Sequence, residues 1–122
     1  LTGTLQKDRV QSSILAAQPR YDQHYDDNQA IVATIQDIAA ECEATAAQVA
    51  LAWLWHQGTA YGLPVVPIPG SRRSDRIREN AAAVDVHLTE EHMARLDAAL
   101  ITVHGGRNFT FTDDDWISSG RE

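Results

Sequence analysis

Val66-Pro67-Ile68-Pro69-Gly70-Ser71-Arg72-Arg73-Ser74-Asp75-Arg76-Ile77-Arg78-Glu79-Asn80 joins an apolar, β-branched run to a charged one through a Pro-Gly-Ser turn. The apolar half, starting at Leu63, shows no polar alternation. That pattern predicts a strand of a parallel sheet covered on both faces, although Pro67 cannot donate to a ladder. The charged half predicts a helix opening near Ser74 or Asp75 and running toward Val84, with Ile77, Ala81 and Val84 facing the core. Helix, strand, turn, helix is the order of an α/β barrel or layered sheet.

The same stretch carries the candidate chemistry. Unpaired amides at a helix start attract anions through their donors and the helix dipole together. Gly70 permits a tight turn and Ser71 adds a hydroxyl. Arg72 and Arg76 stand four apart and share a face if the turn between them is helical. A guanidinium grips phosphate through two parallel hydrogen bonds. Glu79 and Asn80 extend the face and offer donors and acceptors suited to a base edge. The ordinary alternative is a solvated face in which Glu79 only pairs with Arg76. Against that, four arginines at the positive end of a helix dipole are unfavourable unless an anion joins them. From the residues alone, the ligand is phosphate-like and its identity open.

Outward from this stretch the chain reads as mostly helical. Ile31, Ile35, Ile38 and Cys42 recur at helical spacing over 27–42, with Asp26 or Asp27 as cap. Thr45-Ala46-Ala47-Gln48 fits a capping box and opens a helix apolar almost all round through Trp55, with Gly58 as its stop. A last helix opens at Thr89, with Glu90 and Glu91 in its first turn, Leu88 and Met93 as a staple, and Leu96 and Leu100 continuing the stripe. Residues 1–26 read as a long loop with a helical turn around Val10 to Ala17. Residues 101–122 read as an irregular tail with Phe109, Phe111 and Trp116 as anchors.

Composition bounds the function. The chain has 122 residues, 43 % of them apolar, which suits one domain with a modest core. A net charge of -7 argues against nucleic-acid or anionic-membrane partners. No apolar run approaches the ~20 residues of a membrane span. The single Cys42 excludes an internal disulfide, reads as a small buried helix residue, and with no signal peptide suggests a reducing cytoplasm. The histidines, His24, His56, His87, His92 and His104, lack metal-ligand spacing. Asp113-Asp114-Asp115 reads as a solvated acidic tail.

Ile68-Pro69-Gly70-Ser71-Arg72 with Arg76, Glu79 and Asn80 resembles the 2′-phosphate- and adenine-binding motif of aldo-keto reductases. Leu1-Thr2-Gly3, the run Thr45 to Trp53, and Val84-Asp85-Val86 with Leu88 to Glu91 resemble other family segments in the same order. The resemblance implies the α/β fold class and the C-terminal part of a (β/α)8 TIM barrel, mostly helical here with one clear parallel strand. It implies NADP(H) as cofactor, held through Gly70, Ser71, Arg72 and Arg76 at the phosphate and Glu79 and Asn80 at the adenine end. Gly70 stands where some members have Lys, so one phosphate contact of those members is lacking.

The resemblance also implies reduction of an aldehyde or ketone, with a small-molecule carbonyl substrate, by a Tyr assisted by Lys, Asp and His. No residue here matches those four. Lys7 is the chain's only lysine, and Tyr21, Tyr25 and Tyr61 lack a setting that lowers a phenol pKa. A barrel takes ~250 residues, so the expectation is a natural, split or truncated fragment that requires the N-terminal barrel portion and is inactive alone. The rival classes are a non-catalytic helical interaction module using Trp53 and Trp55, and a cofactor-sensing subunit.

Overall fold

A computed structural model describes residues 6–12, 16, 18, 20, 21 and 24–105. The Leu1-Thr2-Gly3 motif, the aromatic anchors of the tail and Asp113 to Asp115 lie outside the described residues. Among the described residues five α-helices follow one another: α1 (Lys7–Gln11), α2 (Tyr25–Glu41), α3 (Ala46–Ala60), α4 (Ser74–Ala81) and α5 (Glu90–Leu100), with a 3-10 turn at Ala82–Asp85. α2 is the central element and packs against both α3 and α5.

The core sits where those three helices meet. Ile31, Ile35 and Ile38 of α2 close on Val49 and Ala52 of α3, on Leu88 just before α5 and on Leu96 within it. The spacing of the three isoleucines puts their side chains on one stripe. Thr45 caps α3 as its sequence predicts: its hydroxyl accepts from the Gln48 amide and the Gln48 side chain accepts from the Thr45 amide. Thr89 caps α5 by the same reciprocal pattern, with His92 in the third position. Leu88 is buried and Met93 packs on the core beside it, the contact expected of a staple.

Helix ends follow backbone chemistry. α3 runs through Gly58 and stops at Gly62, whose φ of 65° is the left-handed conformation that glycine adopts freely. The Leu63 amide then donates to the Gly58 carbonyl at 2.8 Å and the Gly62 amide to Thr59 at 3.2 Å. The expected stop at Gly58 was therefore one helical turn early. α2 ends by the same motif with Glu43 in the left-handed position at φ 51°, followed by an Ala44-to-Ala39 bond of 2.8 Å.

Three expectations need correction. Leu63 to Gly70 is extended but carries no strand pairing among the described residues. A ladder needs a neighbouring strand, and none forms among the described residues. Leu63, Val66 and Ile68 are consequently exposed, Ile68 at 91 %. Second, Ile77, Ala81 and Val84 do not face the core; all three are exposed. The inward face is Glu79, Asn80 and Ala83, set by a Gln48 side-chain bond to the Glu79 carbonyl at 3.0 Å and by the change to three-residue periodicity at Ala82. Third, the helical turn expected around Val10 to Ala17 begins earlier, as α1 at Lys7, and α2 opens at Tyr25 inside the segment expected to be loop; Val10 is buried.

Candidate functional site

The turn between the extended segment and α4 places the candidate ligand residues. Val65 lies on Gly58 of α3, where the missing side chain admits its methyls, and this contact anchors the extended segment to the helical layer. From there the chain passes through Gly70 and Ser71 to Arg73, which caps α4 with no side-chain bond of its own. Gly70 has neither a positive φ nor a crowded Cα: a β-carbon added there meets nothing within 4 Å. Glycine is thus not demanded by the turn, and the space over it is open.

Ser71 is partly engaged. Its hydroxyl oxygen accepts from the Arg73 amide at 3.1 Å, and its proton points to the Arg73 carbonyl at a long 3.4 Å. Arg73 pairs with Asp75. That guanidinium holds the Asp75 carboxyl below the ordinary aspartate range, and Asp75 in turn raises Arg73. A backbone hydrogen bond from Arg76 also reaches Asp75. The amides of Gly70, Ser71, Arg72 and Ser74 have no partner among the described residues.

Arg72 lies in the bend before the cap and Arg76 in the first turn of α4, so the helical spacing expected between them does not hold. Both are exposed, as is Arg78. No hydrogen bond or ion pair from the described residues engages any of these three guanidinium groups. Glu79 and Asn80 are half-buried on the side toward α3. The site therefore offers two unpaired guanidinium groups, a weakly committed hydroxyl proton and unpaired amides at a helix start. This donor set suits a dianionic phosphate ester.

Elsewhere the structure joins residues that sequence spacing could not connect. Asp97 of α5 accepts from the Trp53 indole at 3.0 Å and from Gln57 at 2.9 Å. Asn28 donates to the Arg20 and His104 carbonyls and accepts from the His104 amide, while Arg20 donates to Gly105. These bonds tie the segment before α2 to the one after α5. Cys42 is half-buried just past α2, not a buried helix residue, and lies beside His92. Among the described residues no group of His, Cys, Asp and Glu could hold a metal ion, and no helix is long and apolar enough to cross a membrane.

Comparison with known proteins gives a family match and curated relatives. The family model described as "Aldo/keto reductase family" matches residues 2–101. The chain is 35 % identical over 105 residues to "Probable aldo-keto reductase 1" of Glycine max, covering 84 % of this chain and 29 % of that protein. No solved structure matches.

Proposed function

The chain belongs to the aldo/keto reductase family, and from that premise we propose that residues 70–80 are the nucleotide-gripping segment of an NADP(H)-dependent carbonyl oxidoreductase. Arg72 and Arg76, with the Ser71 hydroxyl, receive the 2′-phosphate; Gly70 leaves the approach open; Glu79 and Asn80 meet the adenine end. The observation that carries this reading is the pair of unpartnered guanidinium groups beside the free amides of Gly70, Ser71 and Arg72 in the turn and of Ser74 at the start of α4. Charge of one sign left exposed at the positive end of a helix dipole is relieved by an anion. Bound NADPH would supply a hydride for carbonyl reduction; the residues here bind and orient and hold no proton for the reaction.

The chain spans about 29 % of the length of that Glycine max relative. Reduction of an aldehyde or ketone is accordingly a property we assign to the whole protein, in which a (β/α)8 barrel completes the sheet that Leu63 to Gly70 would join. The exposed apolar side chains of Leu63, Val66 and Ile68 support that reading over a self-sufficient helical interaction module.

The test is a titration of NADPH and NADH against the chain and against Arg76→Ala and Arg72→Ala. A lost charge-assisted bond is worth about 1.5–3 kcal/mol, so NADPH affinity should fall roughly tenfold or more while NADH is unaffected. Equal binding of the two nucleotides by the parent chain, or a folded Arg76→Ala that keeps full preference for NADPH, removes the proposal.

A further inference from the structure

The end of α2 and the start of α5 bring a thiol, an imidazole and a carboxylate into line. Cys42 Sγ lies 3.6 Å from His92 Nδ1. His92 Nε2 lies 3.1 Å from Glu41 Oε2. Arg95 donates to both Glu41 oxygens, at 2.8 and 2.9 Å, and fixes the carboxylate. The Thr89 amide points at His92 Nδ1 at 3.3 Å. A backbone amide can only donate, so Nδ1 is the acceptor nitrogen and Nε2 carries the proton given to Glu41. The basic lone pair on Nδ1 is shared between the Thr89 amide and the Cys42 sulfur, while the thiol also lies 3.8 Å from the His87 carbonyl as a second acceptor.

The thiol also borders open space. A cleft of about 380 Å³ is lined by Cys42, Glu43, Gln48, Asp85, Val86 and His87 among others, and His92 is not part of its wall. That volume is within the range of small-molecule clefts. Burial pushes the Cys42 thiol above its ordinary range, and the Glu41 charge pushes it the same way. The sulfur is therefore protonated at neutral pH and reacts only if its proton is removed as the bond forms.

We propose that Cys42 is a base-assisted nucleophile that takes small uncharged carbon electrophiles, activated alkenes in particular, from this cleft. The sulfur lone pair attacks the β-carbon and a C–S bond forms. The alkene π bond breaks, leaving its electron pair on the α-carbon. The thiol proton passes to His92 Nδ1, whose cation Glu41 stabilises, and then to the α-carbon. Nothing is oxidised or reduced. Proton transfer displaces the Thr89 amide from Nδ1, a long bond at the exposed mouth of α5. Glu43 and Asp85 in the cleft wall, with Glu41 behind, repel anionic reagents.

Because Cys42 is the chain's only cysteine, mass spectrometry of the full chain reads its modification directly. N-ethylmaleimide is the alkene probe, and iodoacetamide and iodoacetate form the neutral and anionic pair. His92→Gln removes the base yet keeps a residue that suits the third position of a capping box. At pH 7 the maleimide rate should fall tenfold or more in His92→Gln and less in Glu41→Gln. The parent should outpace His92→Gln most at neutral pH, and the two rates should converge in alkali, where the thiol ionises without the imidazole. Iodoacetamide should react well ahead of iodoacetate, beyond their ratio on the chain unfolded in urea. An unchanged rate in a His92→Gln variant of parental circular dichroism overturns the proposal. So does a parent whose preference for iodoacetamide over iodoacetate is no greater than that of the unfolded chain, which needs no variant to be read.

Discussion

At the scale of single residues, two positions carry conformations that their identity does not explain, and each gives a prediction. Glu43 ends α2 with φ at 51°, a conformation that costs an L-residue roughly 1–2 kcal/mol. Glycine pays no such cost but loses more chain entropy. Glu43→Gly should raise stability by about 0.5–1 kcal/mol, read as a higher urea midpoint at unchanged slope. Gly70 is the opposite case, a glycine where nothing requires one. Gly70→Lys should fold as the parent does and bind NADPH more tightly with no gain for NADH, since the added ammonium adjoins the phosphate site and not the base. Glu41 supplies a third test. Arg95, by its hydrogen bond first, then by its charge and with help from His92, holds this carboxyl below its ordinary range. A carboxylate with a depressed folded-state pKa stabilises the fold above its unfolded value and loses that contribution as pH falls through the folded one. Arg95→Gln should move the Glu41 titration upward in carboxyl NMR and shrink the loss of stability on acidification below the glutamate range. A Glu41 midpoint unmoved by that change would mean the ion pair is not made in solution.

At the scale of elements, Gly58 decides how the helical layer holds the extended segment. Inside an exposed helix, Gly→Ala ordinarily stabilises by about 1 kcal/mol. Here an added β-carbon falls 2.7 Å from Val65 Cγ2 and 2.9 Å from the Leu63 carbonyl oxygen, and the backbone atom cannot rotate away. Gly58→Ala should therefore destabilise by on the order of 1–3 kcal/mol, the range of overpacked sites, in a urea melt. It should also weaken NADPH binding, because the segment leads into the phosphate turn. The same contrast shows what the sequence discloses. α2, α3 and α5 were legible because their signals are local: an isoleucine stripe, a Thr-x-x-Gln box, acidic residues after Thr89. The stop of α3 was misplaced because a glycine against a neighbouring segment and a glycine at a helix end look alike in one dimension; Gly62, with its left-handed φ, is the real terminator. α4 was rotated in prediction because Ile77 and Val84 were assumed to be inside, whereas a side chain from α3, Gln48, fixes Glu79 inward. The identities of the candidate ligands could be read from their types and order. That Arg73 is tied to Asp75 while Arg72 and Arg76 are not depends on where α4 begins, to within one residue. The Cys42–His92 contact spans 50 positions and had no local signal at all.

At the scale of the whole molecule, the extended segment poses an asymmetric pairing problem. Residues two apart in an extended chain direct their backbone groups to the same edge. Pro64, Val66, Ile68 and Gly70 form one edge, on which proline has no amide and the other three are available. Leu63, Val65, Pro67 and Pro69 form the other, where the Leu63 amide is already given to Gly58 and the two prolines have none. Only Val65 is left to donate there. A sheet can therefore be extended from the first edge over Val66 to Gly70, while on the second this segment acts mainly as an acceptor. In the chain alone, the amides of Val66 and Ile68 should exchange with solvent almost as fast as unstructured ones, while those of Ile35 and Ile38 in α2 are protected. If the remainder of the barrel, supplied as a second polypeptide, docks on this face, Val66 and Ile68 should gain protection together and the exposed side chains of Leu63 and Ile68 should be covered. Protection confined to the helices, with these two amides still open after the partner is added, would show that the segment does not serve as a strand and that the helical layer meets the barrel by another surface.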